Sequence, residues 1–298
     1  MLDGSRLAAP HTRFKQTLIM KSSPNSPMKE PTVQTFWRDE ALPFIEARSV
    51  EDGRKVCYGK HSHETFSIGA VTGGRSTYLN GKVVERAGPG SVVVINPEVV
   101  HACNPDGDQP WSYRMLYVDA VWLGKLQCDL GVGQSAEFRP FSSTLTTQAG
   151  LYGGLNGLYA ALTDEDSDIL QKHSAAIDFF SELYRALTPA PVSTGSVNLK
   201  LARAAQYIRE NCVQSLRLDE ICAAADISAS YLIRAFKERY GMTPHAYLVN
   251  CRIEYSRTQL KRGRAIAEVA VEAGFADQAH LQRAFRKFVA ATPGQYRG

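Results

Sequence analysis

The last hundred residues of this chain repeat themselves. Set against itself at an offset of 49, the segment YLIRAFKERYGMTPHAYL (231–248) falls on HLQRAFRKFVAATPGQYR (280–297). Leu232/Leu281, Arg234/Arg283, Ala235/Ala284, Phe236/Phe285, Thr243/Thr292, Pro244/Pro293 and Tyr247/Tyr296 coincide, and upstream LDEICAAADIS (218–228) lies over AEVAVEAGFAD. A repeat this long predicts duplicated supersecondary structure, because the same local signals direct the same fold twice.

Each copy reads as a short alanine-rich helix (Ile221 to Ala225; Ile266 to Ala273), a tight break (Asp226-Ile227-Ser228; Gly274-Phe275-Ala276-Asp277) and a second helix rich in Arg. Ser228 and Asp277 stand where an N-cap belongs, and Pro244 and Pro293 suit the first position of a following helix. Leu232, Phe236 and Tyr240 recur every four residues, as do Leu281, Phe285 and Val289, so both sets are expected to face a core. The opposite face is left for a partner: Ser230, Ile233, Arg234 and Lys237 in the first copy, and Gln278, His280, Gln282, Arg283 and Arg286 in the second. In a helix-turn-helix the second helix enters the major groove, where Arg reads guanine, Gln reads adenine and Ile offers only apolar contact. Charge points the same way. Residues 197–298 hold 16 Lys/Arg and 9 Asp/Glu, a net +7, while the rest of the chain is −3, which favours a polyanionic partner for the C-terminal third.

Residues 197–298 resemble the DNA-binding domain of the AraC/XylS family of bacterial transcription regulators. SASYLIRAFKERYGMTPHAYLVNCRIEYSRTQL and GFADQAHLQRAFRKFVAATPGQYR carry the resemblance. It implies a seven-helix module in which RIEYSRTQLKRG (252–263) belongs to a linker helix holding two recognition helices about one DNA turn apart. Two departures stand out: Leu281 sits where the family often has Phe, and Val289-Ala290-Ala291 replaces an aromatic-plus-Gly break.

Ahead of a Pro/Ser/Thr/Gly stretch expected to be a linker (188–196), the texture is different. Residues 31–145 alternate short apolar runs with Gly-rich breaks and predict a β domain, a small barrel or sandwich. Asn80-Gly81 between two such runs predicts a type I′ hairpin. HSHE (61–64) is expected to open the first clear strand and NPEVVH (96–101) lies beyond a GPG turn, so His61, His63 and His101 can converge. Three imidazoles can hold Zn²⁺ or Fe²⁺; the alternative is that they are structural or line a pocket. The arrangement resembles the cupin-type effector domain commonly fused to AraC/XylS regulators. Ser67 and Ile68 stand where metal-binding cupins place a Glu, so no cofactor is expected. A pocket for a small-molecule effector is expected from His63, His101, Tyr78, Arg114 and Trp111.

Leu151, Leu155, Leu158 and Leu162 step at helical spacing, followed less strictly by Ile169, Ile177, Phe180, Tyr184 and Leu187. Two amphipathic helices joined by TDEDSD (163–168) are predicted over 146–187, serving either as a dimerisation element or as a hairpin packed on the β domain. Residues 1–30, with four prolines by position 31 and no periodicity, read as a disordered leader.

The fold class expected is therefore α+β and multidomain: a cupin-like β-barrel, a helical connector and an all-α domain with two helix-turn-helix motifs. The six cysteines form no C-x-x-C pair and read as reduced. No G-x-S-x-G, Walker loop or H-E-x-x-H supports hydrolase or nucleotidase chemistry, so no catalytic residue is expected. No apolar run is long enough for a membrane span and no signal peptide is apparent, which predicts a cytoplasmic protein. The partners expected are promoter DNA, an effector, RNA polymerase and a second copy of the chain.

Overall fold

Antiparallel pairing organises the N-terminal half of the chain. The computed structural model describes residues 33–107, 109–131, 135–187, 189–190 and 198–298. Its strands are β1 (Val33–Trp37), β2 (Ile45–Glu51), β3 (Phe66–Gly73), β4 (Ser76–Asn80), β5 (Val83–Ala87), β6 (Val92–Ile95), β7 (His101–Pro105), β8 (Ser112–Val118) and β9 (Leu145–Thr146). They form a six-stranded sheet in the order β1-β2-β8-β3-β6-β9 and a three-stranded sheet in the order β5-β4-β7. The larger sheet is covered on both sides, which is why β3 from Phe66 to Val71 and β6 throughout are buried at successive residues rather than at alternate ones. Ile45, Ala47, Ile68, Leu116 and Val118 face a helical layer, while Val50, Val71, Val93, Ile95 and Tyr113 face inward with Tyr78 of the smaller sheet.

Two local expectations are corrected. Asn80 pairs with Val83, so the hairpin loop is Gly81-Lys82 and only Gly81 is left-handed, at φ +59°; this is type II′ geometry, one residue later than expected. Asn80 is instead a buried strand residue whose Nδ2 donates to the Val94 carbonyl at 2.9 Å and to the Tyr78 hydroxyl. HSHE does not open a strand: His61 makes an isolated bridge to His101, and β3 starts at Phe66.

The helical layer is α1 (Ala120–Asp129), α2 (Ala149–Thr163) and α3 (Ile169–Ala186). The leucine stripe of α2 is buried against the sheet and α3, and Asp168 with Gln171 forms a capping box at the start of α3. These helices are thus a hairpin packed on the β domain. On α3 the inward face is Ala176, Phe179, Phe180, Leu183 and Tyr184; Ile169 and Ile177, expected inward, are 40% and 38% exposed. At the start of the expected linker, the Ala190 amide bonds the Pro140 carbonyl and Pro189 bridges Phe141, so these two residues are tied to the β domain. The rest of that stretch from 191, and the expected leader at 1–30, lie outside the described residues.

Seven helices complete the chain: α4 (Leu199–Glu210), α5 (Leu218–Ala225), α6 (Ala229–Tyr240), α7 (Pro244–Lys261), α8 (Ile266–Glu272), α9 (Gln278–Val289) and α10 (Pro293–Arg297). The long α7 serves two cores: Tyr247 and Leu248 pack with α4, α5 and α6, whereas Ile253 and Leu260 pack with α8, α9 and α10. From its middle, Arg252 donates to the carbonyls of Cys212 (2.7 Å) and Gln214 (2.8 Å) beyond α4 and of Gly274 (2.6 Å) before α9. Three charge-assisted bonds from one rigid guanidinium fix the two halves against each other. Among the described residues, no helix is long and apolar enough to cross a membrane.

Candidate functional site

Each half of the helical domain is a helix-turn-helix built by local signals. In the first, Asp226 ends α5 in the left-handed region and the Ser228 hydroxyl accepts from the Tyr231 amide at the start of α6. In the second, Gly274 turns the chain at φ +78° and the Asp277 carboxylate accepts from the His280 amide at 2.6 Å. Five residues (273–277) separate α8 from α9 against three (226–228) between α5 and α6, so the second break opens one residue earlier than its sequence indicates. Leu232 and Phe236 are buried under α6, and Leu281, Phe285, Phe288 and Val289 under α9.

The outward faces carry the residues singled out from sequence. Ser230, Ile233, Arg234 and Lys237 are exposed on α6, and Gln278, Arg283 and Arg286 on α9. Gln282 is half-buried, as is His280, whose ring packs edge-on against Phe275 with centroids 5.2 Å apart. Among the described residues, none of Arg234, Lys237, Arg283 and Arg286 is held in an ion pair. Their cationic ends are available to a partner.

The β domain encloses a second candidate site. Its inner faces leave a cavity of about 30 Å³, room for a water or two. Tyr58, His61, His63, His101, Trp111, Tyr113, Met115 and Tyr117 are on its wall. His61 and His101 have ring centroids 4.2 Å apart and His63 and His101 4.8 Å. Burial, then mutual repulsion, holds His61 and His63 well below the usual imidazole range, and burial pushes His101 down to about 4; the rings are neutral at pH 7.

Between this cavity and the helices lies a polar seam. Arg48 is fully buried; its Nη1 donates to the Val289 carbonyl at 3.0 Å and its Nη2 to Gln34 Oε1 at 2.7 Å. Gln34 in turn donates to the Ala290 carbonyl, and the Gly59 amide to the Lys287 carbonyl at 2.7 Å. The last turn of α9 therefore has three carbonyls capped by the β domain, groups a helix end otherwise leaves to water. Nearby, buried Glu46 accepts from Arg38 (3.0 Å), Lys261 (2.6 Å) and the Tyr296 hydroxyl (3.3 Å). A separate cavity of about 350 Å³ opens along the seam between Ser62, His63 and Glu64 on one side and Asn250, Glu254 and Arg257 of α7 on the other.

This two-part architecture has known counterparts. Residues 46–189 match the AraC-like ligand binding domain and residues 221–298 a helix-turn-helix domain. The chain belongs to the AraC family of transcriptional regulators. Its relatives include the uncharacterized HTH-type transcriptional regulator YbfI of Bacillus subtilis, 24% identical over 75% of this chain and 81% of that one. The raffinose operon transcriptional regulatory protein RafR of Pediococcus pentosaceus is 24% identical over 90% of this chain and 94% of that one. A single-substitution variant of ToxT from Vibrio cholerae, in its apo form, has a similar fold, with a TM-score of 0.55 and 13% identity over 89% of this chain and 96% of that one.

As an AraC-family regulator the chain pairs an N-terminal ligand-binding domain with a C-terminal DNA-binding domain. Of the five pocket residues expected from sequence, the structure brings His63, His101 and Trp111 to the cavity wall and leaves two elsewhere. Arg114 alternates with Tyr113 and Met115 along β8, so it points at the helical layer, where it donates to Asn156 Oδ1 at 2.8 Å. Tyr78 is fully buried with its hydroxyl donating to the Val94 carbonyl at 2.9 Å. Sequence reasoning missed Tyr58, Tyr113, Met115 and Tyr117. The period-two alternation in SYRMLYV (112–118) was the available signal: its odd-numbered tyrosines share one face. Nothing comparable announced Arg48 or Glu46, because their partners in the helical domain lie more than 200 positions away.

Proposed function

We propose that this AraC-family regulator reads two adjacent major grooves with α6 and α9 and responds to a small, largely apolar effector in the β domain, whose cavity widens from its room for a water or two to admit it. The supporting observation is the pairing of two capped helices with free basic faces on one rigid linker, α7. Arg234 and Arg283 read bases, Lys237 and Arg286 hold phosphates, and Ser230, Ile233, Gln278, His280 and Gln282 complete the two surfaces. His63, His101 and Trp111 contact the effector. Its binding shifts the seam at Arg48 and Glu46, and with it the end of α9, because an effector acts only through different affinities for two states.

The molecule works by binding rather than by catalysis, in the cytoplasm, with RNA polymerase as its partner at the promoter. A second copy pairs through the outer face of α3, where Ile169, Leu170 and Ile177 are exposed. The test is selection of bound fragments from a random duplex pool by the full chain at ~150 mM salt, since salt sets the nonspecific background. Two short motifs about 10 bp apart are the expected product. Tight binding with no recovered motif overturns the reading in favour of sequence-independent architectural binding.

A further inference from the structure

The three cavity histidines share a feature that packing alone does not require. Each donates Nδ1–H to a backbone carbonyl two residues away: His61 to Gly59, His63 to Thr65 and His101 to Val99, all at 2.9 Å. That bond fixes the tautomer and turns the other nitrogen, Nε2, into a lone-pair donor, which is how proteins orient imidazoles for metal ligation. One ring nitrogen from each of the three lies within 4.8 Å of the others. Among the described residues, only His63 has a hydrogen-bond partner at Nε2, the Ser67 hydroxyl at 3.3 Å.

The geometry points to a site for a divalent transition-metal ion of the zinc class, formed by Nε2 of His61, His63 and His101. An all-imidazole set suits Zn²⁺, Co²⁺ or Cu²⁺ and not Mg²⁺ or Ca²⁺, which take oxygen ligands. Bonds of about 2.1 Å in tetrahedral geometry need nitrogens about 3.4 Å apart, so binding draws the rings inward. The fourth position is left to water or an anionic oxygen, within reach of the Ser67 hydroxyl. His63 also lines the seam cavity, which gives the ion an entry path.

The ligating segment is the one that meets the helical domain. The Gly59 carbonyl accepts from His61 while its amide bonds Lys287 at the end of α9; between the two histidines, Ser62 exchanges two hydrogen bonds with Asn250 of α7, at 3.1 and 2.8 Å. Drawing His61 and His63 inward therefore moves the contacts that hold both the linker helix and the second recognition helix. The metal site stands independently of the regulator reading; its effect on DNA rests on that reading.

The experiment is equilibrium dialysis of the chelator-stripped full-length protein against Zn²⁺, with a Co²⁺ titration followed by visible absorption. One Zn²⁺ per chain and a tetrahedral Co²⁺ band are expected. His101→Gln and His63→Ala should weaken Zn²⁺ binding by more than the ~10–100-fold that loss of a supporting hydrogen bond costs. Zn²⁺ uptake equal in wild type and His101→Gln overturns the site; should neither variant fold, absence of the Co²⁺ band in wild type overturns it. Operator affinity measured with and without Zn²⁺ should differ by about fivefold or more. An unchanged affinity in a Zn²⁺-loaded protein overturns the coupling. Specific operator binding by a protein that takes up no metal leaves the regulator reading standing while the metal site falls.

Discussion

Glu46 concentrates the chemistry of the seam into one side chain. Burial alone raises a carboxyl's pKa, but Lys261, Arg257 and Arg38 outweigh it and hold Glu46 at about 2, against an ordinary value of 4.5. Its stabilisation is therefore fully present above pH 4.5 and lost as the pH falls toward 2. Glu46→Gln takes an anion from buried Arg257, which keeps Glu254, and from the more exposed Arg38 and Lys261, and should cost about 1–3 kcal/mol. Chemical unfolding across roughly pH 2–6 checks both points: the wild type should lose stability in that window, and the variant should show a flatter profile there. On the DNA side, Arg234→Ala and Arg283→Ala should each relax base preference at one position by about 1–3 kcal/mol, whereas Lys237→Ala should weaken binding to all sequences and flatten its salt dependence. Equal specificity ratios in the three variants would contradict this division. The exposure of these residues was legible from helical phase; Arg114 was misplaced because a one-residue step along a strand exchanges the two faces.

Among the elements, α9 shows most clearly how local and distant forces share one helix. Gly241 closes α6 at φ +66°, and Ala290 occupies the matching place after α9 at φ +54°. A left-handed Ala carries a steric cost of roughly 1–2 kcal/mol that Gly avoids. Ala290→Gly should thus raise stability by about 1 kcal/mol, read as a higher urea midpoint with an unchanged slope. The sequence shows the missing glycine but not what retains the turn: Arg48, Gln34 and Gly59 bond the carbonyls around it. The linker helix makes the complementary case. Arg252→Ala removes the three bonds that set one recognition helix against the other, so it should weaken binding to a two-motif operator more than to either half-site, as gel-shift titration would register. Equal losses on both DNAs would show that the linker does not govern spacing.

At the scale of the molecule, the two functional parts are joined by a continuous interface. Val100 of the β domain packs into the first helical core and Phe36 against the second. The full chain should therefore unfold in a single calorimetric transition. Arg48→Met, which strips the Val289 carbonyl of its donor at a cost of about 1–3 kcal/mol, should lower or split that transition while leaving the helical content unchanged.

Whatever depends on neighbours in the chain could be read before any coordinate: the duplicated helix-turn-helix, its Ser228 and Asp277 caps, the outward basic faces and the leucine stripe of α2. These follow from helical period and capping chemistry, which act over four or five residues. Features that depend on long-range approach emerged only on folding. The leucine stripe went to the β domain, one set of strand residues came to face the cavity, and Arg48 and Glu46 of β2 met the ends of helices some 200–250 positions away. A buried charge is tolerable only where folding delivers its partner, and no local pattern announces where that partner will come from.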